Sequence, residues 1–315
     1  MEADTKFPSW IQTVEKSDGH KLNNASRDFF KKALECYPHF HSRYVNCPRT
    51  AEIGVLNNHE PWVLEDHFEK STLPQFIIAN ISETFHFQLT YQIRELSLAM
   101  HDALERGSFY TAAILHRSIF ESVCTYYYTF RRVEEKYKQS VRLLEAIAKT
   151  KSKSEKNRLT PQYYECLYEI YSLVFRANTA TSLNWAEHLK KFGSAGEPPL
   201  EPSKRIHVND SIKDIAKVSK LPLMEAYDLM SEFVHPNYGS KTLVIRTKRP
   251  HHKHMDVVVL GDNSGNPEAA LFYLDNFSEP LFYTLTLACS LHERSVRFLD
   301  AIFELISAVK KQIAH

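Results

Sequence analysis

A chain of 315 residues suits one large domain or two modest ones. Hydrophobic residues make up 43% and charged residues 24%, enough for a sizeable core, and a net charge of +1 excludes a molecule that grips polyanions with its whole surface. Only 8 glycines stand against 16 tyrosines and 19 phenylalanines, and neither GxGxxG nor GxxxxGK[ST] occurs, which argues against Rossmann and P-loop nucleotide folds and for long helices with aromatic packing.

Residues 1–22 are polar. "NNASRDFFKKALECY" predicts a first short helix with Asn23 or Asn24 as its N-cap. Residues 38–72 mix Pro, His, Asn and Gly and read as an irregular connection, with a turn of helix at "EPWVLEDHF". From Leu73 to Arg106, Phe76, Ile77, Ile81, Phe85, Leu89 and Ile93 recur at helical steps. Gly107 ends that helix and Ser108 opens the next, which runs from Phe109 through about Arg132 and on to Lys149 after a kink. "KTKSKSEKNRLTP" reads as a basic loop, with Thr160–Pro161 starting another helix that carries Tyr163, Leu167, Ile170, Tyr171 and Val174 as its stripe.

A shorter helix is expected over Leu183–Phe192, and "GSAGEPPLEPSKR" is the best linker in the chain. Asn209 or Asp210 caps a short amphipathic helix, and "LPLMEAYDLMSEFVH" follows. "KTLVIRTK" and "MDVVVLG" flank "RPHHKH" and predict a β-hairpin at about residues 241–260. "NPEAALFYLDNF" returns to helix, and a long helix closes the chain from about Glu279 to Ile313. The fold class expected is mainly α, a multi-helix bundle with one inserted β-hairpin. The division expected is an irregular N-terminal extension with a short helix at 1–72 and a helical domain at 73–315.

Cys36, Cys47, Cys124, Cys166 and Cys289 are odd in number and show no CxxC spacing, which fits a reducing, cytoplasmic setting without a disulfide frame. No signal-peptide core and no apolar run of about 18 uncharged residues occurs, so no membrane span is expected. GxSxG and HExxH are absent. "HHKH" and His39–His41 lack a ligand set for zinc, and neither a metal nor a cofactor is expected.

Two stretches carry chemistry. In "LHRSIFES", Arg117 and Glu121 stand four apart on one face of a helix that is otherwise apolar nearly all round. They form either an internal ion pair or the floor of a polar site. In "MSEFVHPNYG", Pro236 disfavours helical geometry at His235, so the helix should release that residue into an extended conformation. His235 is either a stop signal at a helix C-terminus or a general acid or base held at a corner.

"ALERGSFYTAAILHRSIFES" with "YDLMSEFVHPNYG" far downstream resembles HEPN-like helical proteins of bacteria, several of which occur in phage-defence and toxin systems. The resemblance covers about residues 95–240. It implies an RNA-directed effector, a metal-independent endoribonuclease with Arg117, Glu121 and His235 as its site. HEPN ribonucleases carry Arg, four to six residues, then His on one helix, whereas here Asp228, Leu229 and Met230 occupy the arginine positions upstream of His235. The helix must therefore borrow Arg117 from elsewhere in space. The spacing does occur elsewhere, as Arg94 with His101 and as Arg246 with His251. Lys151, Lys153, Arg246, Lys248 and Arg249 are candidates for phosphate contacts, or else belong to solvated loops. The alternative to an RNA partner is a non-enzymatic interaction subunit that offers its helical faces to a protein partner or to a second copy of itself.

Overall fold

The structure, a computed structural model, describes residues 22–48, 73–178, 206–235, 243–252, 255–260, 263 and 266–313. It is mainly helical. Its elements are α1 (Asn24–Phe40) with a π-helical continuation (His41–Val45), α2 (Leu73–Glu105), α3 (Phe109–Lys149), α4 (Lys153–Asn178), α5 (Val208–Ser219), α6 (Leu223–Val234), β1 (Ile245–His252), β2 (Met255–Leu260) and α7 (Pro267–Ile313). The stretches expected at "EPWVLEDHF" and Leu183–Phe192, and the linker after them, lie outside the described residues.

The helix starts and stops follow local chemistry. Asn23 is the N-cap of α1, its side chain accepting the Ser26 N–H at 2.9 Å. At the end of α2, Gly107 takes φ 68°, and the Gly107 and Ser108 N–H groups return to the carbonyls of Leu104 and Ala103. That is the Schellman closure, and its left-handed residue favours glycine, which has no Cβ. Gly107→Ala is expected to lower unfolding stability by about 1 kcal/mol, with Gly107→Asn costing less, as read by urea denaturation.

Several boundaries move. α1 is followed by a π-helical turn to Val45, with Pro38 inside the helix, where irregular chain was expected from residue 38. α3 runs through to Lys149 as one element. α4 begins at Lys153, not at Thr160, and encloses Pro161. Ser152 caps the Glu155 N–H at 3.3 Å, so capping chemistry was present well before the proline. α5 begins at Val208, ahead of the expected caps, with the Asp210 and Ser211 N–H groups bonding to the His207 carbonyl. The last two expected helices are one, α7, with Pro280 in its interior.

β1 and β2 pair antiparallel from Ile245↔Leu260 to His252↔Met255, with irregular register between Pro250 and His252. A proline cannot donate to the ladder.

The chain divides into two compact units, one of Met1–Arg49, Leu89–Cys124 and Ile212–Ser290, the other of Thr50–Gln88, Thr125–Ser211 and Leu291–His315. In the first, α1 belongs to the core: Phe30, Ala33, Tyr37 and Phe40 are buried, and the buried Tyr44 hydroxyl donates to the Ala288 carbonyl at 2.8 Å. The described part of residues 1–72 is thus packed within this unit. Tyr273 and Phe277 stack at 4.6 Å between ring centroids, and Phe233 meets Phe277 at 5.2 Å. The second unit packs Phe85 between Tyr126 and Phe130, and Phe298 against Phe130 and Tyr137. There Arg294 and Lys138 both pair with Glu134, and Lys136 pairs with Glu169. No helix among the described residues is long and apolar enough to cross a membrane.

Candidate functional site

α3 and α6 belong to the first unit where they carry the singled-out residues. α6 buries Leu223, Ala226, Tyr227, Met230 and Phe233, which fixes the rotation of the helix. It ends at His235, whose φ of −74° and ψ of 154° are extended, as a residue before proline requires. The His235 N–H still closes the last turn on the Ser231 carbonyl. The Tyr110 hydroxyl, from α3, donates to the Val234 carbonyl at 3.2 Å and so satisfies a helix-end acceptor.

Arg117, Glu121 and His235 come together. Arg117 Nε donates to Glu121 Oε1 at 2.8 Å, its Nη1 meets His235 Nε2 at 3.2 Å, and its Nη2 donates to the Tyr227 hydroxyl at 2.8 Å. The guanidinium also lies over the Tyr227 ring, 4.9 Å from its centroid. Arginine carries donors only. In this hydrogen bond His235 Nε2 is therefore the acceptor.

The setting is a boundary rather than an interior. The Arg117 side chain is 15% exposed and that of Glu121 33%, while His235 is exposed and Tyr227 buried. The sequence around Arg117 is apolar nearly all round, yet Ile114, Leu115 and Ser118 are only half-buried, so this part of α3 has an outward side. Burial works against the Arg117 charge, but its hydrogen bonds to Tyr227 and Glu121, with the Glu121 charge, outweigh that and hold its pKa above the ordinary arginine value. Burial, joined by the Glu121 charge, raises the Tyr227 phenol above its ordinary range despite the Arg117 hydrogen bond.

Tyr227 is the member of this cluster that the sequence hides. It sits on the apolar stripe with Leu223, Met230 and Val234 and reads as core. The available signal is its position eight residues before His235, just over two turns back on the same helix, with a hydroxyl that needs a partner when buried.

Among the described side chains, the other candidates do not join this cluster. Arg94 pairs with its neighbour Glu95 at 2.6 Å, whereas His101 Nε2 meets the Tyr37 hydroxyl at 3.2 Å. Lys151 and Lys153 are exposed at the start of α4, in the second unit. Arg246, Lys248 and Arg249 lie on β1 in the first unit, and their side chains, like that of His251, are outside the described residues. Comparison of the chain with protein-family models, with curated proteins and with solved structures finds no match.

Proposed function

We propose that the chain is an RNA-directed effector of a bacterial defence or toxin system, and that Arg117, Glu121 and His235 form a metal-independent endoribonuclease site with Tyr227 as the residue that positions Arg117. The supporting observation is the 3.2 Å approach of Arg117 to His235 across 118 positions of sequence, at an exposed helix end. A phosphodiester reaching this end draws Arg117 Nη1 onto a non-bridging oxygen and frees the Nε2 lone pair of His235. That nitrogen takes the proton of the ribose 2′-hydroxyl as its oxygen bonds to phosphorus. The P–O5′ bond breaks, and the 5′-oxygen takes its proton from water at this open site. Arg117, still hydrogen-bonded to Tyr227, stabilises the charge on the phosphorane.

A second reading rests on a different observation: every nitrogen of the Arg117 guanidinium already has a protein partner. In that reading the four residues are a polar knot tying α3 to α6, and the chain is a non-enzymatic interaction subunit working through a protein partner. The two separate in an RNA incubation with EDTA present. The first predicts fragments ending in 2′,3′-cyclic phosphate, and the second predicts intact RNA.

A further inference from the structure

Inside the first unit, α1, α2, α3 and α7 enclose a cavity of about 30 Å³. A single water needs roughly 10–15 Å³, so the space takes more than one water-sized group. Its walls are mostly apolar, with Phe30, Met100, Ile119 and Leu285 among them. The half-buried Leu34 and Leu281 mark its outer rim.

Two polar atoms break that pattern. Ser97, 0% exposed, and His116, 1% exposed, both line the cavity, and Ser97 Oγ and His116 Nδ1 have no hydrogen-bond partner among the described residues. The His116 tautomer follows from its neighbours. Thr284 Oγ1 donates its one proton to the Pro280 carbonyl at 2.8 Å. It can then only accept from His116 Nε2, 3.1 Å away, so the His116 proton sits on Nε2 and Nδ1 is a bare lone pair. Burial lowers the pKa of His116 to about 4, and that of His101, also in the wall, to about 4. Neither ring offers a charge at neutral pH, so an anionic ligand finds no cation here. Leaving a buried acceptor unpaired is destabilising, which calls for a donor in the cavity.

We propose that this cavity binds a small neutral molecule with a hydroxyl on a short apolar chain, the hydroxyl donating to His116 Nδ1 and accepting from Ser97 Oγ. The chain of the ligand lies along Met100, whose thioether adapts to irregular shapes. Water alone would satisfy the two polar atoms but would leave its remaining hydrogen bonds facing hydrocarbon and aromatic walls.

Titration of the full chain with ethanol, 1-propanol and 1-butanol tests this, followed by thermal melting and by the ¹⁵N resonances of the histidine side chains. The expected result is a saturable rise in melting temperature with a saturable shift of His116 Nδ1, and about fivefold to tenfold weaker binding in Ser97→Ala. A melting temperature that only falls linearly with alcohol, with His116 unmoved, overturns the proposal and leaves ordered water as the occupant. Saturable binding that leaves His116 Nδ1 and the Ser97→Ala variant unaffected places the alcohol elsewhere and overturns it equally.

Discussion

Acidification from pH 6.5 to pH 4 is expected to remove several kcal/mol of folding stability while changing little between pH 7 and pH 8. The cause is three imidazoles away from solvent, His86 and His116 buried and His101 half-buried. Burial lowers the pKa of His86, His101 and His116 to about 4 each, helped at His86 by the facing His292 and at His101 by His41, with Glu105 opposing at His101. An unfolded histidine titrates near 6.5. Between these values the unfolded chain binds more protons than the folded one, so stability falls as pH falls. The contribution is complete above pH 6.5 and is lost by pH 4, at about 3 kcal/mol per histidine. Urea midpoints across this range measure it. His116→Phe should flatten the curve by about one third, since its ring titrates separately from the other two and the substitution keeps an aromatic in the core.

Arg117→Ala is expected to destabilise the fold by about 2 kcal/mol, more than any other single change in the cluster. Breaking a buried ion pair by removing one partner costs about 3–5 kcal/mol, and the partial exposure of Arg117 and Glu121 places this case lower. The loss goes beyond the pair: the Tyr227 hydroxyl loses a donor, His235 Nε2 loses a donor, and the ring of Tyr227 loses a stacked cation. Arg117→Lys should recover little, because an ammonium cannot present a planar fork to three acceptors. His235→Ala should cost under about 1 kcal/mol, being a single bond at an exposed position. A cost below about 0.5 kcal/mol for Arg117→Ala would mean that the cluster does not tie α3 to α6.

Much of the fold was readable because local signals and packing agree. Phe85, Leu89 and Ile93 recur at four-residue steps and are buried. Asn23 caps, Gly107 closes α2 in a left-handed turn, and Pro236 turns His235 out of α6, each by backbone chemistry that needs no tertiary partner. The prolines misled where packing overrode propensity. Pro280 reads as a helix boundary, yet Phe277, Leu285 and Ala288 on both sides of it are buried, and their burial carries α7 through. Pro161 reads as a first helical position, but Ser152 had already opened α4.

The site was legible in its parts and not in its assembly. The i,i+4 spacing of Arg117 and Glu121 does produce a pair, because that geometry is fixed by the helix itself. The reach from Arg117 to His235 depends on how α6 packs against α3, which no local pattern encodes. Tyr227 escaped because its ring satisfies the apolar stripe, while its hydroxyl, pointing at Arg117, leaves no trace in periodicity.

The most direct test of the proposed activity is cleavage of single-stranded RNA by the wild-type chain and by His235→Ala, in EDTA, with melting temperatures measured on the same samples. Wild type is expected to yield 2′,3′-cyclic phosphate ends, and His235→Ala to lose cleavage at least a hundredfold with its melting temperature nearly unchanged. RNA left intact by the wild-type chain, or cleaved equally by His235→Ala, would contradict that activity.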